Sequence, residues 1–302
     1  MDHRSASEAE IAPKFLRRVA TLMVITQSAI VVTGAAVRLT GSGLGCSTWP
    51  ECTPGSYTPT ANQPEAPLHA WIEFGNRLLT FVLFLNALAL VISILRNRRE
   101  LFGLGAIQIL GILAQALLGG ITVLTGLNPA TVAGHFMLSI LLIAAALSLR
   151  QRIYGYSQNK LITTKLTKNL ARALVILTLM VLIAGTIVTG SGPHAGDSTA
   201  ERFPLDARTV SWIHADLVIA LLGIAVALLI SIQVGESGAT RELLGKRIKV
   251  FLLASLLQGA IGYTQYFTGL PELLVAFHIL GSILVWLSAW NLAITGNVRI
   301  LR

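Results

Sequence analysis

Eight apolar runs divide this chain, near residues 19–40, 70–95, 102–126, 131–149, 170–190, 210–233, 248–268 and 272–295. Each approaches or exceeds the roughly 20 residues a helix needs to cross a bilayer. The separators differ in kind. Those after the second, fourth and sixth runs are basic. Those after the first and fifth are long and polar (about 41–69 and 191–209), and those after the third and seventh are tight turns, Gly126–Ala130 and Gly269–Glu272. The pattern predicts an all-α integral membrane protein of eight transmembrane helices.

One stretch occurs twice. Shifted by 143 residues, Gln115–Leu141 lies on Gln258–Leu284 with 11 of 27 positions identical, among them a Thr-Gly-Leu turn and His135 over His278. Matching Leu and Ile between apolar segments means little, but a Gln, a His and a turn in one ungapped register mark an internal duplication. The alternation of long and short connections extends it to two four-helix bundles in parallel orientation.

Nineteen of the 23 Lys and Arg residues fall before the first run, between runs 2 and 3, 4 and 5, 6 and 7 (counting Arg172 and Lys249 at the very starts of runs 5 and 7), or after the last. By the positive-inside rule both termini are cytoplasmic. The chain then reads as a tail (1–18), a first half (19–150), a basic linker (151–168) and a second half (169–298). No cleavable signal peptide is expected, and the first helix serves as the insertion signal.

Composition narrows the class. Charged residues are only 12% of the chain and mean hydropathy is +0.70, against about 25% charge in soluble domains. A net charge of +9 would suggest nucleic acid in a soluble protein. Here it reflects basic loops on a cytoplasmic leaflet of the cell membrane, with no nucleic-acid partner.

The only cysteines, Cys46 and Cys52, share the first outer loop. An oxidising outer surface favours a disulfide between them, with free thiols as the alternative. Five of the six histidines, His69, His135, His194, His214 and His278, lie in outer loops or in the first turns of helices entering from outside. Ionisable groups in membrane helices are costly and mark function by default. Neutral imidazoles inside a four-helix bundle suit axial ligation of haem iron, and His214 and His278 are placed to share one haem. A bare metal site needs more protein ligands, and no HxxxH or HExxH spacing is present. On the second helix, the level matching His135 offers Glu73, Asn76 and Arg77 but no His. Arg38, Arg208 and His194 are candidate contacts for haem propionates. Glu73, one turn into a membrane helix, is either half of a Glu73–Arg77 helix pair or a catalytic carboxylate. The glycine strings at 41–45 and 190–192, each after a matched Thr-Gly (Thr33-Gly34 and Thr189-Gly190), are turns that permit close approach.

Duplicated four-helix halves, an outer cysteine pair after Gly-Ser-Gly-Leu-Gly with Trp49-Pro50 between, Ile72-Glu73 followed by Arg77, and single histidines opening helices 4, 6 and 8 together resemble the haem A synthase family. These membrane enzymes convert haem O to haem A for cytochrome oxidase. The resemblance spans about residues 19–298. It implies oxidation of a porphyrin methyl to a formyl group. It also implies a haem b between His214 and His278, and a haem O site near His135 with Glu73 as the catalytic carboxylate and a Cys46–Cys52 disulfide beside it. An electron acceptor is implied, and haem O synthase or oxidase assembly factors are candidate partners.

The family pattern has a His where this chain has Asn76. An amide does not readily replace imidazole on iron, though it can hydrogen-bond to water or a propionate. Five-coordinate iron held by His135, or ligation by His69, is therefore expected in the first half. The alternative function is a dihaem b-type electron-transfer subunit, which would stack histidine pairs at two depths; every candidate ligand here lies toward the outer face. A transporter is a third class, but charged residues are few at mid-membrane.

Overall fold

The structure, a computed structural model, describes residues 12–155 and 163–297. The expected tail and linker lie partly outside the described residues, as do His3, Arg4, Lys160, Arg299 and Arg302. The described residues form eight α-helices and no strands: α1 (Lys14–Leu39), α2 (Pro67–Asn97), α3 (Phe102–Leu124), α4 (Pro129–Ile153), α5 (Lys165–Ser191), α6 (Ala207–Gly235), α7 (Gly238–Phe267) and α8 (Glu272–Asn297), with a 3-10 turn at Arg99–Leu101.

Helix starts follow local chemistry. Pro67 and Pro129 occupy first-turn positions, where a missing N–H costs nothing. Asn128, Thr164 and Asp206 cap α4, α5 and α6 by accepting from the amides of Ala130, Thr167 and Thr209. The Thr209 hydroxyl and amide hold the Asp206 carboxyl below the usual carboxylate range. The two tight turns have the same form. Gly126 and Gly269 take positive φ (61° and 82°), and so do Leu127 and Leu270 (60° and 61°). The amides of Leu127 and Leu270 return to Thr122 O at 2.9 Å and Gln265 O at 2.8 Å, the six-to-one bond that closes a helix C-terminus.

Seven helices are long and apolar enough to cross a membrane. The exception is α7, which begins ten residues before the expected 248. Its first turns carry Arg241, Glu242, Lys246, Arg247 and Lys249. This segment exposes its charged side, where Lys246 pairs with Glu242 at 2.9 Å, and buries Leu244 and Ile248.

Packing follows a closed square in each half. Helix α1 packs on α2 and α4, and α3 on α2 and α4; likewise α5 packs on α6 and α8, and α7 on α6 and α8. No diagonal pair packs closely among the described residues, which leaves the centre of each square to side chains. The hydrophobic cores lie at one end of the squares. In the first half Leu16, Met23, Leu90, Ile94, Leu149 and Ile153 join the start of α1 to the ends of α2 and α4. In the second, Leu174, Leu228, Ile232, Ile248, Phe251 and Leu292 do the same. The opposite end, where the long loops lie, is where the histidines sit.

Helices α1, α4, α5 and α8 form the seam between halves. Trp286 Nε1 donates to Ile140 O at 2.8 Å and Trp290 Nε1 to Ser148 Oγ at 2.7 Å, over a cluster including Ile143, Leu182 and Ile283. In lipid, such packing and interhelical hydrogen bonds, about 0.6 kcal/mol each, replace the hydrophobic drive available in water.

Candidate functional site

Each of the three helix histidines lies over a glycine of the preceding helix. A β-carbon placed on Gly119 would sit 3.2 Å from His135 Cε1; on Gly185, 3.3 Å from His214 Cε1; on Gly262, 3.1 Å from His278 Cε1. Any larger residue would push the ring aside. The neighbouring glutamines repeat as well. Gln115 Nε2 donates to His135 O at 3.0 Å, and Gln258 Nε2 to His278 O at 2.6 Å. In both copies the same two atoms are buried without a partner: the glutamine Oε1 and the histidine Nδ1. Buried polar atoms are rarely left unsatisfied, and those that are call for an explanation.

In the second half, the rings of His214 and His278 face each other across the square, centroids 6.4 Å apart. His214 Nδ1 lies 3.1 Å from Val181 O, a bond that places the proton on Nδ1 and leaves Nε2 free as a lone-pair donor. Two metal–imidazole bonds of about 2 Å each, plus half the width of each ring, match that separation. The pair could ligate one metal ion between α6 and α8, which do not pack directly on each other.

The first half is built differently. Glu73 is 5% exposed. Its Oε1 accepts from Arg77 Nε (3.1 Å) and Nη2 (2.6 Å), while Oε2 accepts the Cys46 amide at 2.6 Å. Arg77 in turn donates to the carbonyls of Cys46 (2.8 Å), Thr48 (3.0 Å) and Glu51 (3.0 Å). The ion pair thus grips the loop closed by the Cys46–Cys52 disulfide. Trp49 of this loop lies against Gly120 of α3, where a β-carbon would fall 2.5 Å from its ring. Gly45 approaches the α2 backbone so closely that a β-carbon would meet His69 O at 2.4 Å, as the close-approach reading of this glycine string requires.

Asn76 faces Gly34 of α1, with Nδ2 4.0 Å from the position of a β-carbon there, and its Oδ1 accepts the Thr33 hydroxyl at 2.8 Å. Gly34 lies inside α1 rather than at its end. Its counterpart across from a histidine is Gly185, whereas Gly190 packs on Phe203, so the two Thr-Gly pairs are not equivalent.

The profile of the COX15-CtaA family, described as a cytochrome oxidase assembly protein, matches residues 17–290. The chain belongs to this family. It is 34% identical over 184 residues to a protein named heme A synthase from Listeria monocytogenes, covering 58% of this chain and 59% of the relative. Two others of that name are similar over shorter stretches. One, from Lysinibacillus sphaericus, is 34% identical over 145 residues, covering 47% of this chain and 46% of the relative. The other, from Bacillus pumilus, is 31% identical over 160 residues, covering 51% and 49%. The chain therefore spans less than two thirds of the length of these curated relatives. With seven helices able to span, this family member is a multi-pass membrane protein.

The remaining expected residues have other placements in this family member. Arg38 donates through Nη2 to Thr189 O at 2.9 Å and through Nε to His194 O. His194 Nε2 lies 2.8 Å from Leu270 O. Both tie the 192–206 loop to its surroundings. Arg208 is exposed and stacks over Trp212 at 4.7 Å. His69 lies beside Gly41 at the loop level. The glycines under the rings were missed by sequence reasoning. Gln115 with Gly119, and Gln258 with Gly262, are nevertheless identities within the duplicated stretch, four residues apart and so on one helix face.

Proposed function

We propose that this protein is a haem A synthase, an oxidoreductase that converts a methyl group of haem O to the formyl group of haem A for cytochrome oxidase. The observation that carries the reading is the facing His214–His278 pair, in a chain of this family. Among the described residues no three His, Cys, Asp or Glu side chains converge. Two imidazoles can complete a metal's coordination there only if a porphyrin brings the other donors. The second half then holds haem b, and the first half binds haem O near His135.

Eight spanning helices, two parallel halves and cytoplasmic termini complete the topology. The repeated glutamine–glycine–histidine geometry and the distribution of basic residues support it. Both sites then lie toward the outer face of the cell membrane.

The bound haem supplies the redox chemistry. Glu73 is the catalytic carboxylate of the first half, one turn from Asn76. Arg77 and the Cys46 amide hold it in place, and Oε2, with a single donor, retains lone pairs for a proton leaving the substrate methyl. A fixed carboxylate also balances positive charge developing on that carbon. Arg208, exposed and stacked on Trp212, is the candidate cation for a propionate. Arg38 and His194 act by fixing the loop over the site.

Chromatography of haems after supplying haem O and an electron acceptor tests this. The wild type yields haem A. Glu73→Ala retains haem b and loses conversion by about 10²–10⁴-fold, the range for a lost acid or base. Absence of haem A from the wild type under turnover would overturn the reading in favour of an electron-transfer subunit.

A further inference from the structure

Near the long-loop ends of the squares, three histidines lie over glycines, Gly119 with His135, Gly185 with His214 and Gly262 with His278, and a fourth glycine, Gly34, lies more loosely (4.0 Å) by Asn76. In the second half both members of the pair are histidines; in the first, α2 carries an amide, Asn76, beside a glycine of α1 where α6 carries His214 beside a glycine of α5. We propose that the first-half site leaves one face of its iron open to a small exogenous ligand, and that Asn76 is the hydrogen-bond donor to that ligand. The inference rests on the reading that the first half holds a haem.

The placement of the amide carries it. Asn76 Oδ1 lies 2.8 Å from the Thr33 hydroxyl, whose one proton is shared with Ile30 O at 3.1 Å, and Nδ2 is the end turned to Gly34. Among the described residues Nδ2 has no hydrogen-bond partner. A carboxamide nitrogen has no available lone pair and offers only N–H donors. It therefore acts on what iron holds rather than on iron.

No neighbour can close the face instead. Glu73 is drawn to the loop by Arg77 and the Cys46 amide, one turn above Asn76, and Arg77 is held by three loop carbonyls. His69 precedes Asn76 by seven residues, about 10 Å along the helix axis, and its ring lies by Gly41 in the loop. The ligand class is a small neutral molecule that binds iron through one atom and offers an acceptor to an N–H. Carbon monoxide is the probe for it.

The test uses reduced, full-length protein supplied with haem O until extraction returns two haems per chain. We expect one carbon monoxide bound per two haems. In Asn76→His a second imidazole fills the face: carbon monoxide affinity falls at least tenfold, and the first-half haem becomes low-spin. In Asn76→Ala binding persists, and the C–O stretching frequency shifts because the donor is gone. A two-haem wild type that binds no carbon monoxide would overturn the open face. An unshifted stretch in Asn76→Ala would overturn the donor role. Failure to load a second haem would remove the first-half site, and the proposed function with it.

Discussion

His214 and His278 face each other with ring centroids 6.4 Å apart, although the helices that carry them do not pack together. Helices α5 and α7 hold α6 and α8 apart, and Gly185 and Gly262 give each ring its place. The gap is a product of the square packing, and it is the width of one metal with two imidazole ligands.

The glycines under the rings therefore control each half separately. Gly262→Val or Gly185→Val displaces a second-half ring, and haem b content falls while haem O uptake persists. Gly119→Val does the reverse. Haem stoichiometry by extraction distinguishes these outcomes; equal loss at both sites in every variant would count against separate control.

Arg77 neutralises a buried carboxylate and ties down three loop carbonyls. Arg77→Ala leaves Glu73 buried and uncompensated, a change of the kind that costs about 3–5 kcal/mol. Thermal unfolding in detergent should begin well below that of the wild type, and Cys46 and Cys52 should become open to reduction and alkylation. Glu73→Ala combined with Arg77→Ala should recover part of the loss.

At the seam, Trp286→Phe removes one buried bond to Ile140 O and little volume. A loss near 0.6 kcal/mol is expected, the mean for hydrogen bonds between membrane helices. Trp286→Ala also opens a cavity among Ile140, Ile143 and Ile283 and should cost about 3–5 kcal/mol. Unfolding curves for the two variants separate the contributions.

The helices were legible because apolar length and basic separators are local signals. The start of α7 was not, since hydropathy follows apolar length and Gly238–Lys249 extends the helix with charged residues. Of the site, His135, His214 and His278 stood out as imidazoles in apolar runs, and the Glu73–Arg77 pair follows from helical spacing. The partners of Arg38 and His194 could not be read, because Thr189 and Leu270 lie 151 and 76 residues away and meet them only through loop packing. Gly185 escaped for a similar reason: it lies outside the duplicated stretch, and only the fold sets His214 over it.

The most direct measurement is near-infrared magnetic circular dichroism of the purified, haem-loaded protein, wild type beside His214→Ala, His278→Ala and His135→Ala. A bis-imidazole signal present in the wild type and His135→Ala, and lost in the other two, is the predicted result. Its persistence in His278→Ala, or its loss in His135→Ala alone, would contradict iron held between His214 and His278.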